Sequence, residues 1–382
     1  MNSTRNCQGL GPDSPSMKLP PLNPQISQLP VYVPGRPIEE VAREHGLDPQ
    51  GIIKLASNEN PLGPSPRALA AMEQVLRHLH LYPDGSAFLL KRRLAEKLYV
   101  EPGHLILGNG SNEIIEFVGH AFMNPEVEVV VPEYAFAIYG IVTALFGARL
   151  VTVPARGLGA DIPAMIRAMT PRTRVLFLAN PNNPTGTLSS HAEVSELLAA
   201  VPPEVLVVMD EAYVEFLEDP ADCLALVREG THPNLLLMRT FSKIFGLAGL
   251  RLGYGIGHPE LIAALEKVRQ PFNINSIAQA GAIAALDDAD HLARTRATNR
   301  LGLEYLHTAF RQMGLEFQPS HANFVLVKVG DGAKCFADLQ RLGVITRPMG
   351  GYGLPAWLRV SVGTPEENHR AVTALKQVLG RP

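Results

Sequence analysis

The stretch that decides the fold is an apolar run that ends in a serine and a lysine, Leu235-Leu236-Leu237-Met238-Arg239-Thr240-Phe241-Ser242-Lys243. A short continuous apolar run predicts a strand that is buried on both faces of a sheet. Lys243 therefore follows a buried strand end, where removing a free ammonium group from water is costly. Such a lysine is usually neutralised, paired with an anion or used covalently. An exposed loop lysine is the alternative interpretation of this position.

Similar runs recur on both sides of this stretch. Together with 235–238 they predict seven strands, at residues 105–107, 127–131, 150–153, 174–179, 205–209 and 253–256. Helical patterns lie between several of them, such as residues 113–122 with apolar side chains on one face. Strands that alternate with helices predict an α/β fold, in which a mostly parallel seven-stranded sheet is covered by helices.

The pattern changes after about residue 280. A long helical region is predicted at 277–313, followed by a strand at 324–329, a helix at 333–342 and a strand at 358–362. This order predicts a smaller α+β domain. The predicted organisation is a flexible proline-rich arm (1–30), a segment associated with the small domain (31–57), a large domain (58–280) and the small domain (281–382).

Composition limits the classes of function. The chain has 382 residues, of which 46% are hydrophobic and 19% charged, which suits about two globular domains with a sizeable core. A net charge of −3 argues against nucleic-acid binding. Cys7, Cys223 and Cys335 are too widely spaced for a disulfide framework or a metal site. With no signal-peptide pattern and no uncharged stretch long enough to span a membrane, we expect a cytoplasmic protein without membrane partners.

Further polar residues follow the predicted strands. Asp210 closes the run 205–209, Tyr213 comes shortly after it, and Arg251 follows Lys243. Lysine, carboxylate, phenol and arginine are the groups that hold pyridoxal phosphate (PLP), because they bind its aldehyde, ring nitrogen, ring oxygen and phosphate. A carboxylate beside the ring nitrogen raises the pKa of that nitrogen and so strengthens the ring as an electron sink. A helix N-cap is the alternative role for Asp210.

Two loops add to this set. One follows a predicted strand and opens a helix, Gly108-Asn109-Gly110-Ser111-Asn112-Glu113. Its glycines let the backbone approach an anion, and the first N–H groups of the helix favour a phosphate, although a capped turn is the alternative. The second loop has a shape that two prolines and a glycine restrict, Asn180-Pro181-Asn182-Asn183-Pro184-Thr185-Gly186.

In this order and spacing the motifs resemble those of the fold-type-I PLP-dependent aminotransferases, over roughly residues 30–380. Three more stretches, 57–65, 82–84 and 358–364, are similar to the histidinol-phosphate aminotransferase subfamily. The resemblance implies that Lys243 bonds the cofactor and later moves a proton between the substrate Cα and the cofactor C4′. It also implies that Asp210 keeps the pyridinium nitrogen protonated.

The resemblance assigns roles to other residues as well. Tyr213 and Asn183 would hydrogen-bond the ring oxygen, and Tyr134 would stack on the ring face. Tyr82 would reach the cofactor phosphate of a neighbouring subunit, which makes the expected assembly a homodimer. The cofactor phosphate would be held by Ser111, Asn112, Thr240, Ser242 and Arg251.

Two arginines are the main candidates for binding the substrate. Arg359 lies where the family places its anion-binding arginine, and it would take the α-carboxylate of glutamate. With Arg347 it could also bind the phosphate of histidinol phosphate. A structural ion pair for Arg359 and a solvated charge for Arg347 are the alternatives. Other candidate substrate contacts are Tyr32, Asn183 and, for the imidazole ring, His321 and Asn323.

We therefore expect a PLP-dependent aminotransferase of histidine biosynthesis that converts histidinol phosphate and 2-oxoglutarate to imidazole acetol phosphate and glutamate. Residues 347–355 resemble a branch that includes aromatic amino acid aminotransferases, so this activity is the nearest alternative. A PLP-dependent decarboxylase of a phosphorylated amino acid is a further one. A PLP-binding regulator would need a DNA-binding domain, for which the residues before the resemblance are too few.

Overall fold

The structure is a computed structural model that describes residues 20–29, 31 and 35–381. Most of the predicted arm and Tyr32 lie outside the described residues. The helices of the described part are α1 Ile38–His45, α2 Pro66–Val75, α3 Phe88–Leu98, α4 Ser111–Phe122, α5 Ala137–Leu145, α6 Ile162–Ala168, α7 His191–Ala200, α8 Cys223–Glu229, α9 Pro259–Glu266, α10 Ser276–Leu286, α11 Ala289–Gln312, α12 Gly332–Arg341 and α13 Pro365–Leu379.

The strands of the same residues fall into three sheets. They are β1 Ile53–Lys54, β2 Leu105–Gly108, β3 Glu128–Pro132, β4 Arg149–Val153, β5 Thr173–Ala179, β6 Leu206–Asp210, β7 Leu235–Thr240, β8 Gly253–Gly257, β9 Phe317–Gln318, β10 Phe324–Lys328, β11 Val344–Ile345, β12 Arg347–Pro348 and β13 Trp357–Ser361.

The large sheet confirms the predicted α/β fold. Its seven strands lie in the order β2-β8-β7-β6-β5-β3-β4 and coincide with the runs predicted from the sequence. The strands β7, β6, β5, β3 and β4 pair in parallel, whereas β8 is antiparallel to both of its neighbours. The sheet is therefore mostly parallel, as expected.

Alternate residues of each central strand enter different cores. In β7, Leu235 and Leu237 pack into a core that includes α2, α3 and α10, whereas Leu236 and Met238 pack into one that includes α4, α5 and α9. All four side chains are fully buried. Each such side chain contributes roughly 1.5–3 kcal/mol through burial, which explains why the strands read as continuous apolar runs.

The smaller unit is built on an antiparallel sheet in the order β12-β13-β10-β9. The helices α11, α12 and α13 cover this sheet and share its apolar core. The short strand β1 pairs in parallel with β11, so the segment that precedes the large domain is tied to the small one. A connection between residues 31–57 and the small domain is in line with this pairing.

The helical region predicted at 277–313 is divided in the structure. It forms α10 and α11, separated at Asp287 and Asp288, and the Asp288 carboxylate caps α11 by accepting a hydrogen bond from the His291 N–H at 3.1 Å. The α10 residues Ala278 and Ala282 lie in the core of the large sheet. The domain limits stay a prediction, and this packing favours a small domain that starts after α10 rather than at 281.

The carboxyl ends of the parallel strands create the place for a site. The strands β5, β6 and β7 end at Ala179, Asp210 and Thr240, so the polar residues that follow them meet at one edge of the sheet. The small domain faces this edge, because residues of both domains line the cavity found there. Among the described residues, no helix has the length and apolar character needed to cross a membrane.

Candidate active site

A cavity of about 400 Å³ lies at the carboxyl edge of the large sheet. It is bounded by loops of the large domain on one side and by β12 and β13 of the small domain on the other. The predicted site residues that line it are Ser111, Asn112, Asn183, Asp210, Tyr213, Thr240, Ser242, Lys243, Arg251, Arg347 and Arg359. Folding thus brings together side chains that are far apart in the sequence.

Lys243 projects into this cavity from the end of β7. Its Nζ donates a hydrogen bond to the Ser57 carbonyl at 3.2 Å and lies 5.7 Å from the centre of the Tyr213 ring. Burial and, to a smaller extent, the nearby Arg359 guanidinium lower the pKa of Lys243 to about 8. A substantial fraction of this amine is therefore neutral near physiological pH, which suits a nucleophile and proton carrier.

Asp210 lines the site and is only 6% exposed. The Tyr139 hydroxyl donates a hydrogen bond to its Oδ2 at 2.6 Å, and the Ala212 N–H donates one to its Oδ1 at 3.1 Å. Burial raises the pKa of Asp210, and these two donors oppose that change. Each oxygen keeps a lone pair for a further donor, such as a protonated ring nitrogen.

Tyr213 lies beside the lysine and is held by Asn58. The Asn58 side-chain amide donates to the Tyr213 hydroxyl oxygen at 3.0 Å. Asn58 is held in turn by Ser361, whose hydroxyl donates to the Asn58 Oδ1 at 2.9 Å, and by Asn323, whose amide donates to the Asn58 carbonyl at 3.0 Å. Burial raises the pKa of Tyr213 to about 12, so its phenol is a hydrogen-bond donor at neutral pH.

The N-terminus of α4 forms a cradle that fits a phosphate. Ser111 and Asn112 line the cavity, and the residue before them, Gly110, has no side chain to cap the first N–H groups. A Cβ on Gly110 would lie 2.5 Å from the Arg251 guanidinium, and one on Gly253 would lie 2.3 Å from the Ser111 nitrogen. The two glycines therefore allow the helix end and the guanidinium to converge, and both attract an anion.

The small domain contributes the opposite wall. Arg359 is 7% exposed, and its guanidinium donates to the Ala56 carbonyl at 2.8 Å and to the Asn183 side-chain oxygen. It also lies 5.2 Å from the centre of the Phe324 ring. Arg347 is directly opposite Arg359 across the β12–β13 pair, and both side chains line the cavity.

Four predicted residues lie elsewhere. Tyr134 packs against the apolar cluster of Met349 and Trp357 rather than lining the cavity, and Phe136 from the same loop lines it instead. This placement makes Phe136 a second aromatic candidate for facing the ring, and the stacking of Tyr134 stays a prediction.

The other three are Tyr82, His321 and Asn323. Tyr82 is 84% exposed at the surface of the chain. His321 lines a separate cleft with Arg156 and Glu193. Asn323 binds the backbone of Asn58, which makes it a support of the site and not part of its lining. Tyr32 is outside the described residues, so its role stays a prediction.

The sequence does not predict Tyr139, Asn58, Phe136 or Tyr352, although Phe136, Asn58 and Tyr352 line the cavity and Tyr139 bonds Asp210. One signal was available for Tyr139. It is a hydroxyl-bearing residue inside the apolar helix α5, and a buried phenol normally needs a hydrogen-bond partner. No such partner could be named, because Asp210 is distant in the sequence.

These residues fit PLP. A buried carboxylate, a lysine with a lowered pKa, a phenol and an anion cradle surround one cavity. Among the described residues, no group of three or more histidine, cysteine, aspartate or glutamate side chains could hold a metal ion. The fold and this set of side chains define a PLP-dependent transferase of fold type I.

The comparisons with known proteins give the family. The model of the family described as aminotransferase class I and II matches residues 50–375, and the chain belongs to this family. A histidinol-phosphate aminotransferase of Akkermansia muciniphila is 49% identical over 94% of this chain and 98% of its own length. Histidinol-phosphate aminotransferase 2 of Pseudomonas fluorescens (strain Pf-5) is 50% identical over 94% of this chain and 97% of its own.

A solved structure is similar throughout. The histidinol-phosphate aminotransferase of Sinorhizobium meliloti, in complex with pyridoxal-5'-phosphate, superposes with a TM-score of 0.86 at 29% identity, over 95% of this chain and 99% of that chain. The predicted fold and cofactor are confirmed by the family and by this likeness.

Proposed function

We propose that this enzyme transfers the amino group of histidinol phosphate to 2-oxoglutarate, giving imidazole acetol phosphate and glutamate. The observation that carries the proposal is the pair Arg347 and Arg359, which are partners in the register of β12 and β13 and both line the cavity. Two guanidinium groups in one cavity favour an anionic substrate. Histidinol phosphate brings a phosphate and 2-oxoglutarate brings two carboxylates. The names of the relatives at 49% and 50% identity support this substrate pair.

The chemistry divides between cofactor and protein. When bound, PLP supplies an electron sink for the substrate Cα–H bond. Lys243 then takes the proton at its Nζ, a role that its pKa of about 8 suits because a neutral amine and its conjugate acid are both accessible. Asp210 would hold a positive charge at the ring nitrogen, and Tyr213 would donate a hydrogen bond toward the ring oxygen. The small-domain wall orients the substrate anion through Arg359.

A steady-state comparison of amine donors tests the proposal. Purified holoenzyme is assayed with 2-oxoglutarate and either histidinol phosphate, phenylalanine or tyrosine. We expect kcat/KM for histidinol phosphate to exceed the others by roughly a hundredfold or more, since a site that binds a phosphate discriminates strongly against donors that lack it. Higher values for phenylalanine or tyrosine would overturn the substrate assignment and leave the aminotransferase chemistry intact.

Aromatic amino acid transamination is the second candidate. It is favoured by the aromatic side chains Tyr352 and Phe136, which line the same cavity. A pocket of this kind accepts an imidazole and a phenyl ring with modest discrimination. The donor comparison above separates the two activities, and release of carbon dioxide instead of a keto product would point to a decarboxylase.

The proposed active form is a homodimer. Within residues 76–89 of the large domain, six apolar side chains are 51–84% accessible, namely Leu76, Leu79, Leu81, Tyr82, Phe88 and Leu89. The ring of Tyr82 is stacked on Phe272 at 5.0 Å, and Phe272 is itself 48% exposed. Apolar surface of this extent is typical of a protein–protein interface. A second copy that covers it would receive Tyr82 near its cofactor phosphate.

Mixed dimers test this arrangement. Chains carrying Lys243→Ala are unfolded and refolded together with chains carrying Tyr82→Ala. If Tyr82 acts on the partner's site, each hybrid contains one site with both side chains intact, and activity rises well above that of either variant. If Tyr82 acts within its own chain, mixing restores nothing. Light scattering of the unmixed protein gives the oligomeric state independently.

A cytoplasmic location is also part of the proposal. Cys223 and Cys335 are buried free thiols, in line with a reducing compartment. Cell fractionation tests this point, and enrichment in a secreted or periplasmic fraction would contradict it.

A further inference from the structure

The hydroxyl group of Tyr139 is not needed for the packing of the core. It lies on α5, is fully buried, and stacks on Phe177 with ring centres 4.4 Å apart and an angle of 7°. A phenylalanine would make the same stacking contact. What the hydroxyl adds is a single hydrogen bond of 2.6 Å to the Oδ2 of Asp210. Burying a phenol without a hydrogen bond costs free energy, and a phenylalanine would avoid that cost. The hydroxyl at this position therefore indicates a function for its bond to Asp210.

The direction of this bond is fixed by the charges around it. The pKa of Tyr139 lies well above its ordinary value because of burial and the neighbouring Asp210, so the phenol keeps its proton and only donates. Burial raises the pKa of Asp210, whereas the Tyr139 hydroxyl and the Ala212 N–H lower it. The other groups that influence the carboxyl are Glu211, which opposes ionisation, and Lys243, which favours it. Tyr213 and Tyr352 also raise the pKa of Tyr139 through electrostatic repulsion.

We propose that Tyr139 is a positioning residue that holds the Asp210 carboxylate ionised and oriented for the ring nitrogen of PLP. The hydrogen bond occupies one lone pair of Oδ2 and restricts rotation of the carboxylate, while the Ala212 N–H restricts Oδ1. An ionised carboxylate favours the protonated ring nitrogen, on which the electron sink depends. The inference rests on the proposed cofactor chemistry and does not depend on which amine donor the enzyme uses.

The variant Tyr139→Phe removes only the hydroxyl and keeps the ring that packs on Phe177. Its matched control is Tyr254→Phe, because Tyr254 is also a buried large-domain tyrosine, its hydroxyl bonds the charged Arg239, and it does not line the cavity. The dissociation constant of PLP from the apoprotein is measured by fluorescence from about pH 5 to about pH 8. This range lies above the ordinary pKa of an aspartate, where a carboxyl with a raised pKa titrates.

In the parent protein, PLP binding weakens at the acid end, where Asp210 becomes protonated. Without the Tyr139 hydroxyl the Asp210 carboxyl binds its proton more readily. In Tyr139→Phe the acid limb, which is the pH range in which PLP binding weakens on acidification, therefore moves to higher pH. It also weakens binding roughly tenfold at neutral pH, as expected for one lost hydrogen bond to a charged group. Tyr254→Phe leaves the limb where it is, although it lowers thermal stability. A parent-like limb in folded Tyr139→Phe overturns the proposal, as does an equal shift in both variants.

Two further measurements keep the inference testable. In the double variant Tyr139→Phe with Asp210→Asn, a residue that acts through Asp210 adds little to the loss that Asp210→Asn causes alone, whereas fully additive losses contradict the proposal. If Tyr139→Phe does not fold, incorporation of 3-fluorotyrosine at position 139 strengthens the donor at nearly constant shape. The acid limb should then move to lower pH, and an unmoved limb again contradicts the inference.

Discussion

The two ends of the cavity are built differently. The cofactor end is made of residues that follow strand ends of the large sheet, such as Ser111 after β2, Asp210 on β6 and Lys243 after β7. The substrate end is made by the small domain, chiefly Arg347 and Arg359 on neighbouring strands. The first end is thus fixed by local connections to one rigid sheet, whereas the second requires two domains to meet.

The charges of the two ends differ as well. At the cofactor end the Asp210 carboxylate lies in the same cavity as the Lys243 amine, so groups of opposite sign share the site. At the substrate end Arg347 and Arg359, which are partners in the β12–β13 register, both line the cavity and carry the same charge. Changes at the first end should therefore disable the chemistry itself, and changes at the second should alter which anions are accepted.

The largest effect is expected for Lys243→Ala. Loss of the nucleophile and proton carrier should lower kcat by about 10⁴-fold or more, since general base catalysis alone contributes up to about that factor. The fold should persist, because the substitution removes a buried amine whose ionised form is disfavoured. Activity and circular dichroism are measured beside Lys54→Ala, a lysine paired with Glu59 at 3.0 Å. Substantial turnover by Lys243→Ala would refute the assignment of both ends.

Asp210→Asn should come next. It keeps the shape of the side chain but removes the charge opposite the ring nitrogen, so we expect kcat to fall by roughly 10²–10³-fold, the range seen when one charge-stabilising group is lost. PLP affinity should weaken at the same time, whereas the KM for 2-oxoglutarate should change little. A near-normal kcat would show that the charge of Asp210 is not needed for the ring to act as an electron sink.

The sequence predicts the cofactor end well because its signals are local. Each of its motifs lies next to a continuous apolar run. Such a run predicts a buried strand by itself, whichever strands it pairs with in the sheet. The seven long strands were predicted for the same reason. By contrast, β1, β11 and β12 have two residues each, too few to show a period. The break between α10 and α11 was missed because the helical pattern continues on both sides of Asp287 and Asp288.

The contacts that the sequence could not predict join distant residues. Tyr139 and Asp210 are 71 positions apart, and Asn58 and Tyr213 are 155 apart. Such pairs depend on how helices and domains pack, which no local pattern encodes. The same limit applies to Phe136, which lines the cavity although the sequence pointed to Tyr134 of the same loop.

At the substrate end, Arg359→Lys should lower kcat/KM by roughly 10–100-fold. Lysine keeps the charge but loses the fork that reaches both the Ala56 carbonyl and Asn183. The loss should fall mainly on KM for 2-oxoglutarate and histidinol phosphate, and PLP affinity should stay near that of the parent. Titration of PLP into the apoprotein checks this division, and a large loss of cofactor affinity would show that the two ends are not separable.

A smaller effect is expected on the pH dependence of PLP binding, because Arg359 at the substrate end influences the pKa of Lys243 at the cofactor end. Burial and Arg359 lower the pKa of Lys243 to about 8, and only the neutral amine reacts with an aldehyde. The second-order rate of PLP binding to apoprotein should therefore rise roughly tenfold per pH unit below that value and level off above it. In Arg359→Gln the bend should lie at higher pH, because a positive neighbour is removed. Stopped-flow absorbance follows the reaction, and a bend that does not move would exclude this coupling.

The smallest effect is expected for His321→Gln. The His321 N–H donates to the Gly186 carbonyl at 2.9 Å, while its side chain lines a cleft separate from the active-site cavity, with Arg156, Glu193 and Gln318. Burial lowers the pKa of His321, so the ring is neutral at physiological pH and offers no charge to a substrate anion. Removing it should change kcat/KM for histidinol phosphate by less than about twofold, the range of substitutions away from a site. A selective rise in KM for histidinol phosphate, with no change for phenylalanine, would instead place His321 at a group that phenylalanine lacks, the imidazole ring or the phosphate. It would then extend the substrate end beyond β12 and β13.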